Sequence, residues 1–387
     1  MPARRPSPLL LSAAHALNDG YGSFLAALMP LLIDRFGLSL AMAGLLSSVR
    51  GTTASFTQPL VGLVADRFGP RWLVLLGPAV TCSAMALLGV LPSYPVLAVA
   101  LGLAGLGTAA FHPAAAALAG SAGEKRRGLA VSVFSAGGTI GVAVGPPLIA
   151  ALVGRFGLSI TPALLLPAWA LVGLLAWRMP QVARSWREAR AKLHTHPQAR
   201  QLVRLWAIAV LREFAGMSYV TFLSVLWVGR GAAVTTGGLS LTVFALSGAL
   251  GGVIGGRLSD RFGRRRVIVG ALLCSIPFLY LFLATNGVPS MILLAMGGML
   301  LLASNPVSVT FAQELFPEHR GMVSGLVMGF AWGVGSLLLT LVGYLGDALG
   351  LEAALGIVTG LLLPAAVLAA GLREPAPKSE GPAEAGP

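Results

Sequence analysis

The chain has 387 residues, of which 56% are apolar and 11% are charged. Soluble domains carry about 25% charged residues, so this composition excludes an ordinary soluble fold and indicates a membrane protein. In a soluble chain the net charge of +13 would suggest a nucleic-acid partner, but membrane proteins use Lys and Arg to set their orientation. We therefore expect a lipid bilayer as the surroundings of the chain and no nucleic acid as a partner.

Apolar runs predict twelve transmembrane helices, because each crossing takes roughly 20 residues. In chain order the predicted spans are 9–33, 41–65, 72–91, 95–119, 129–153, 159–178, 205–228, 238–256, 267–285, 289–312, 322–345 and 352–371. This pattern predicts an all-α integral membrane protein with two pseudo-symmetric six-helix bundles. The expected divisions are an N-terminal bundle over 1–179, a basic cytoplasmic linker over 180–204, a C-terminal bundle over 205–372 and a disordered tail over 373–387.

The positive charges are sorted between the predicted loops. Arg35, Arg155 and Arg230 fall on one side of the bilayer, Arg50 and Arg212 lie within predicted spans, and the remaining 22 of the 27 Lys and Arg fall on the other side. Because basic loops stay in the cytoplasm, we expect both termini to be cytoplasmic in a multi-pass protein of the inner membrane. A basic run close to the start precedes a long apolar segment, which we interpret as a retained first helix.

Cysteine and histidine give no indication of a metal or cofactor site. Cys82 and Cys274 lie in two different predicted spans, which leaves no disulfide framework and no cysteine metal site. His194 and His196 form a His-x-His pair in the basic linker, where solvated side chains are the expected interpretation. We expect no metal and no cofactor.

The two halves of the chain repeat each other. Residues 62–71 and 256–265 both read Gly-x-x-x-Asp-Arg-Phe-Gly-x-Arg, and their aspartates are 194 positions apart. The segments 111–113 and 304–306 each end in proline and are 193 positions apart. An Arg-Gly pair lies further along the chain after each of them, at 127–128 and at 320–321. A duplication of this kind in a membrane protein is typical of transporters.

The repeated Gly-x-x-x-Asp-Arg-x-Gly-x-Arg loop resembles the signature loop of the major facilitator superfamily, over essentially residues 8–372. Within that superfamily the chain resembles the fosmidomycin-resistance type of drug exporter. The residues that carry this narrower likeness are His15-Ala-Leu-Asn18-Asp19, Gln58-Pro59-Leu-Val-Gly62, Phe111-His112-Pro113 and Gly137-Gly138-x-x-Gly141. The chain departs from the family at Ala114, because a carboxylate often follows Phe-His-Pro there.

The resemblance implies two bundles around a central cavity, alternating access, and export of a small molecule in exchange for protons. Fosmidomycin-like, anionic or phosphorylated compounds are the expected cargo. Import or facilitated diffusion of a sugar or organic acid is the alternative within transport. A membrane enzyme or sensor is a remote alternative, since no catalytic signature and no appended soluble domain is found, and we expect a monomer that is not an enzyme.

Ionisable residues inside the predicted spans are candidates for function, because a charge at mid-bilayer costs roughly 2.5 to 3.5 kcal/mol. His15, Asn18, Asp19 and Gly22 fall on one face of the first helix, with Asp19 near its middle. Arg50, in the second helix, is expected to reach Asp19. The pair is either a switch that protonation or an anionic substrate releases, or a permanent structural ion pair.

His112 in the fourth helix is a candidate for proton relay or substrate binding, or alternatively for a hydrogen bond to the backbone of a neighbouring helix near the bend at Pro113. Its counterpart Asn305 cannot titrate, which predicts proton chemistry in the first bundle. Arg212 and Glu213 are neighbours whose side chains are expected to point about 100° apart and not to satisfy each other. The full set of candidate proton-coupling or substrate-binding residues is His15, Asn18, Asp19, Arg50, Gln58, His112, Glu213 and Asn305.

Residues of the repeated loops are expected to act as latches that hold one conformation and break in the other. Gly62 and Gly256 are expected to permit close helix approach. The full set of candidate gating residues is Gly62, Asp66, Arg67, Arg71, Gly256, Asp260, Arg261, Arg264, Arg265, Glu314 and Arg320.

The fifth predicted helix is rich in glycine and proline, with Gly137, Gly141, Gly145 and Pro146 at its centre. Glycines four residues apart let a neighbouring helix come into backbone contact, and proline bends the helix axis. The run resembles the antiporter signature of the superfamily, although tight packing alone also explains the glycines.

Overall fold

The computed structural model describes residues 7–58, 60–61, 70–122, 127–179 and 198–374. Gly62, Asp66, Arg67, most of the predicted linker with its two histidines, and the chain beyond residue 374 lie outside the described residues. Within those ranges the protein is all-helical, with no strand, as predicted.

Twelve long helical segments among the described residues correspond to the twelve predicted spans. They are α1 (Pro8–Phe36), α2 (Leu40–Phe56), α3 (Pro70–Ala86), α4 (Tyr94–Ala122), α5 (Arg127–Phe156), α6 (Leu158–Arg178), α7 (Ala199–Gly229), α8 (Val234–Phe262), α9 (Arg264–Ala284), α10 (Gly287–Leu315), α11 (Pro317–Leu349) and α12 (Leu351–Ala370). Ten are long and apolar enough to cross a membrane, and α2 and α3 have 17 described residues each. Helix α7 begins at Ala199, inside the predicted linker.

Four of these segments are interrupted. Segment α1 consists of Pro8–Gly22 and Phe24–Phe36, and α12 consists of Leu351–Gly360 and Leu362–Ala370. Segment α6 opens with a 3₁₀ turn, Leu158–Leu164, before Leu165–Arg178. Segment α11 runs through Pro317–His319 (3₁₀), Arg320–Ser324 (α), Gly325–Phe330 (π), Ala331–Leu337 (α) and Leu339–Leu349 (α). Interrupted helices are common in transporters, where the freed backbone groups line a cavity.

Glycine sets the closest helix contacts within each bundle. In the first bundle, Gly137, Gly141 and Gly145 of α5 lie against the backbone of α1. In the second bundle, Gly251 and Gly255 of α8 lie against backbone carbonyls of α10. A side chain at any of these positions would overlap the facing helix, so the glycines determine how closely the helices approach.

Gly256 does not have the predicted packing role. A methyl group built on its Cα would have no neighbour within 4 Å. The close approach lies one residue earlier, at Gly255, because consecutive residues of a helix point about 100° apart.

Gly37, Arg230 and Gly350 mark one end of the helices, which we call the distal face. The two bundles are joined over the half of the molecule next to this face, the distal half. Asp347 of α11 accepts hydrogen bonds from the backbone N–H groups of Leu40 (2.8 Å) and Ala41 (2.9 Å). The carboxylate thereby caps the N-terminus of α2 in the other bundle, where the helix leaves its first N–H groups unpaired.

Two further contacts close the distal half. Ser48 of α2 donates to the carbonyl of Ser336 in α11 (2.8 Å), and Thr242 of α8 donates to the carbonyl of Ala143 in α5 (2.6 Å). Both bonds satisfy a hydroxyl inside the helix layer, and both join one bundle to the other. The pairs α2–α11 and α5–α8 thus form the seam between the bundles.

The residues that follow α12 are tied back to the opposite, proximal face, where α1 begins and α12 ends. Gln201 at the start of α7 accepts from the N–H of Arg373 (2.7 Å), and Arg204 donates to the carbonyl of Gly371. Glu374 accepts from the N–H of Arg265, the second residue of α9 (2.8 Å). We call residues 371–374 the C-terminal strap, since they connect the starts of α7 and α9.

Candidate functional site

The described part of the first bundle contains a cluster of three ionisable side chains on α1 and α4. His15 Nε2 lies 3.1 Å from Asp19 Oδ2, and His112 Nε2 lies 3.1 Å from Asp19 Oδ1. Asn18 Nδ2 also donates to Asp19 Oδ1 (3.1 Å). Both carboxylate oxygens are therefore occupied by side chains of the first bundle, in an arrangement that we call the His–Asp–His cluster (His15, Asp19, His112).

Backbone carbonyls fix both imidazole rings from behind. His15 Nδ1 lies 2.8 Å from the carbonyl oxygen of Phe134 on α5, and His112 Nδ1 lies 2.9 Å from that of Thr108, one turn earlier on α4. The His15 ring also stacks on the Phe134 ring, with centroids 4.2 Å apart. These contacts leave each Nε2 atom aimed at Asp19. The backbone partner of His112 lies on its own helix, and not on a neighbouring helix as predicted.

The glycine contacts between α1 and α5 bring this cluster together. Gly138 faces it directly: a Cβ at that position would lie 2.6 Å from His15 Nε2 and 2.9 Å from Asp19 Oδ2. Because α5 lacks a side chain there, the ring and the carboxylate fill the space between the two helices. His15 and Asn18 are buried, whereas the side chains of Asp19 and His112 keep 19% and 33% exposure, so the cluster is open on the His112 side.

Arg50 does not form the predicted ion pair with Asp19. No contact within 4.0 Å joins the two side chains, although the charges are close enough to attract each other. The guanidinium lies instead beside Gly22, where a Cβ would be 2.5 Å from its Nη2 atom. Its Nε atom is buried and has no hydrogen-bond acceptor among the described residues. His15 and His112 contact the carboxylate of Asp19, which the sequence analysis had paired with Arg50.

A second polar cluster lies in the second bundle. Arg212 of α7 is 1% exposed and donates from Nη2 to Glu213 Oε1 (2.5 Å) and to Asn305 Oδ1 (3.2 Å). The expectation that Arg212 and Glu213 could not satisfy each other is therefore wrong, because the arginine is long enough to fold back along the helix surface. Ser308 Oγ lies 3.5 Å from Nη1. The position of Asn305 corresponds to that of His112, and here it holds an arginine.

A cavity of about 170 Å³ lies between the bundles. Its walls are mainly apolar, and Glu213 is the ionisable residue among them. The first bundle contributes Ser23, Ala26, Val142 and Pro146, and the second contributes Glu213, Gly216, Met217, Val220, Leu241, Phe244, Ala245 and Leu302. Ligand pockets typically measure about 300–1,000 Å³, so this conformation has room for a small solute and a larger one requires the bundles to separate.

The cavity and the His–Asp–His cluster are one helical turn apart on two helices. Asp19 and the cavity residue Ser23 are four residues apart on α1, and Gly138 and the cavity residue Val142 are four residues apart on α5. Ser23 is also the residue at which α1 is interrupted. The cluster and the cavity wall therefore lie next to each other along both helices.

Three of the gating candidates that the structure describes, Asp260, Arg264 and Glu314, form an ion-pair network at the proximal face. Arg264 Nη1 contacts Asp260 Oδ1 (2.6 Å), and its Nη2 contacts Glu314 Oε1 (2.9 Å). This network joins the α8–α9 turn to the end of α10, within the second bundle.

Other gating candidates have different partners. Arg265 bonds the carbonyl of Leu372 (3.4 Å), Arg71 bonds the carbonyl of Ala176 (3.0 Å), and the guanidinium of Arg261 lies 5.3 Å from the ring centroid of Phe262. Arg320 is exposed and has no ion pair among the described residues.

Gln58 lies apart from the His–Asp–His cluster. Its Nε2 donates to the carbonyl of Ala54 (3.1 Å), and its Oε1 faces Gly329 of α11. The sequence did not indicate the cross-bundle cap by Asp347 or the apolar wall residues of the cavity. Asp347 lies near the end of one predicted span, on the side of the bilayer where another span begins. Which spans pack against each other cannot be inferred from one sequence, so the cap could not be predicted.

Comparison with known proteins agrees with these observations. The sequence model described as Major Facilitator Superfamily matches residues 11–229 and, separately, residues 205–387. The chain is 30% identical to the fosmidomycin resistance protein of Escherichia coli strain K12, over 88% of this chain and 86% of that protein. It is 27% identical to the hexuronate transporter of the same strain, over 84% and 83% of the two chains.

A solved structure has the same fold. It is the crystal structure of a bacterial homologue of the human lysosomal transporter Spinster, in an inward-facing and occupied conformation. The TM-score is 0.80 at 16% identity, covering 94% of this chain and 95% of that one. At this identity the likeness concerns the fold alone.

Proposed function

Because the chain belongs to the Major Facilitator Superfamily, and is thus a multi-pass membrane transporter, we propose that it is a proton-coupled antiporter. It exports a small drug-like compound by alternating access, in exchange for protons that enter the cell. Both termini face the cytoplasm in this proposal, the membrane is the inner membrane, and the working unit is a monomer.

The observation that carries the proposal is the His–Asp–His cluster inside membrane-spanning helices. Imidazole changes charge near neutral pH, and a carboxylate within bonding distance of two imidazoles exchanges protons with them. Ionisable groups at this depth are costly and commonly mark proton or substrate pathways. The side chains of His112 and Asp19 keep partial exposure, which gives protons a way in and out.

Coupling to the cargo follows from the position of the cavity. The cavity lies between the bundles, at the place where rocking of one bundle against the other would expose it to either side. Its wall begins one turn from Asp19 on α1, at Ser23. Loading or unloading the cluster therefore alters the wall that contacts the cargo.

The sign of the coupling depends on the charge of the cargo. Mainly apolar walls and the carboxylate of Glu213 suit a drug-like compound, and a cargo that competes with protons for Asp19 produces antiport. The fosmidomycin resistance protein is a 30% identical relative, and it makes fosmidomycin and similar anionic or phosphorylated compounds the first cargoes to test.

Arg50, whose buried Nε has no acceptor among the described residues, favours a second candidate, symport of a sugar acid or another organic acid. Protonation makes the cluster beside Arg50 more positive, so a proton and an anion bind more tightly together than apart. Positive linkage of this kind moves both in the same direction. The relative described as a hexuronate transporter supports this alternative.

Vesicle experiments separate the two candidates. In everted vesicles with an acidic lumen, antiport predicts that added fosmidomycin dissipates the pH gradient. In right-side-out vesicles, symport predicts that an acidic exterior stimulates uptake of a hexuronate such as glucuronate.

The matched variants are Asp19→Asn, which removes the titrating carboxylate, and Asp34→Asn, which changes an exposed aspartate on the same helix segment. Asp19→Asn is expected to abolish proton coupling and Asp34→Asn to preserve it. Unchanged coupling in Asp19→Asn would exclude the cluster from the mechanism.

A further inference from the structure

The hydrogen bonds around the cluster define how many protons it holds. A carbonyl oxygen accepts hydrogen bonds and donates none, so His15 Nδ1 facing Phe134 and His112 Nδ1 facing Thr108 must each carry a hydrogen. This fixes the tautomer of both rings. In the neutral form of either ring, Nε2 would therefore bear a lone pair and no hydrogen.

Each Nε2 atom faces a different oxygen of Asp19 at 3.1 Å. Two lone pairs at that separation repel, so each contact needs a proton between nitrogen and oxygen. One proton serves one contact, because the two contacts use opposite oxygens of the carboxylate. We infer that the His–Asp–His cluster, in the conformation described, holds two exchangeable protons, one carried by His15 and one by His112.

This inference deepens the proposed function. The number of protons in the cluster stands without that proposal, and only the role of those protons in transport rests on it. If protons are the coupling ion, the cluster loads and unloads them as a pair. His15 then carries a transported proton itself and does more than position Asp19.

Among the described residues, the charged and titratable groups around the cluster come from two further helices, α2 and α3. Arg50 approaches from α2, and the buried thiol of Cys82 approaches from α3. Asn18 of α1 donates to Asp19 but does not titrate. Helix α5 contributes Phe134 and Gly138 to the contact, neither of which is ionisable. Arg50 is thus the one permanent positive charge that faces the cluster among the described residues.

Arg50 provides the means of discharge. Its guanidinium lies beside Gly22, one turn from Asp19, and its Nε has no acceptor among the described residues. In the loaded state both histidines are cationic, Asp19 is anionic and Arg50 stands apart. When Arg50 swings onto the carboxylate, both Nε2 protons leave to water, both rings become neutral, and Asp19 pairs with Arg50. The two states differ by two protons and by the position of the Arg50 side chain.

Nitrogen-15 NMR of histidine tests the count directly. The full-length chain, labelled at its five histidines and reconstituted in lipid nanodiscs at pH 7.5, is expected to show two rings with both nitrogens protonated. A free imidazole, with a pKa of about 6.5, is mostly neutral at that pH. A wild-type count of zero or one overturns the inference, and this measurement requires no variant to fold.

Variants assign the two rings. His15→Gln and His112→Gln are each expected to lower the count from two to one, and the control His319→Gln, in the 3₁₀ part of α11, is expected to leave it at two. A count that remains two after either cluster substitution contradicts the assignment. Proton flux in vesicles distinguishes failure of this inference from failure of the proposed function. If the wild type shows two doubly protonated rings but no proton movement alongside fosmidomycin or glucuronate, the proposed function is wrong and the two-proton site remains.

Discussion

Replacing Gly138 by alanine perturbs the cluster with a single methyl group. The new Cβ would lie 2.6 Å from His15 Nε2 and 2.9 Å from Asp19 Oδ2, whereas ordinary contacts begin at 3.4 Å, so the ring must retreat by about 0.8 Å. The His15 ring has little room to do so, because it bonds the Phe134 carbonyl and stacks on the Phe134 ring.

The displacement has a calculable consequence. Moving the ring by this amount stretches the 3.1 Å contact between His15 and Asp19 beyond about 3.5 Å, where a hydrogen bond is lost. Hydrogen bonds to charged groups contribute about 1.5–3 kcal/mol. The loaded cluster in Gly138→Ala should therefore be populated roughly 10- to 150-fold less than in the wild type.

Gly128→Ala is the matched control, because it lies on the same helix and its added Cβ would have no neighbour within 4 Å. Both substitutions replace a helical glycine, so the gain in helix propensity of about 1 kcal/mol is common to them. Proton flux in vesicles should fall in Gly138→Ala and stay at the wild-type level in Gly128→Ala. Equal flux in the two variants would refute the reasoning from steric displacement.

Three further substitutions test packing, the cross-bundle cap and the latch. Gly251→Ala places a methyl group on a backbone carbonyl and should lower the free energy of unfolding by about 1–3 kcal/mol, as measured by thermal denaturation, whereas Gly256→Ala should not. Asp347→Asn weakens the cap on α2 by about 0.5–2 kcal/mol, so spin-label distances across the distal face should lengthen; unchanged distances would contradict its role. Arg264→Gln should slow transport while changing the unfolding free energy by less than about 1 kcal/mol, since its ion-pair partners are exposed.

The sequence predicted the fold well because bilayer thickness fixes the length of each span. The predicted run 289–312, for example, lies inside α10 (Gly287–Leu315). Asn305 lies on this helix as its counterpart His112 lies on α4, as the internal repeat predicts. The start of α7 differs from the prediction, because the helix begins at Ala199 and the predicted span begins at residue 205. Polar residues such as Gln201 and Arg204 read as linker, yet they extend the helix because the C-terminal strap supplies their hydrogen-bond partners.

The candidate site could be predicted residue by residue but not in its pairing. His15, Asp19, Arg50 and His112 were all singled out as costly groups within spans. Helix depth alone favoured Arg50 as the partner of Asp19, since depth says nothing about how helices are rotated. The choice of histidine depends on the closeness of α1 and α5, which Gly138 permits and which a spacing argument cannot measure.

The C-terminal strap has a practical consequence for handling the protein. Gly371, Arg373 and Glu374 are hydrogen-bonded to the starts of α7 and α9. An affinity tag or fluorescent reporter fused after residue 374 is therefore attached to a fixed segment and not to a fraying helix end. Shortening the chain to residue 370 would instead strip acceptors from Arg204 and a cap from α9, so truncations meant to aid crystallisation should stop beyond Glu374.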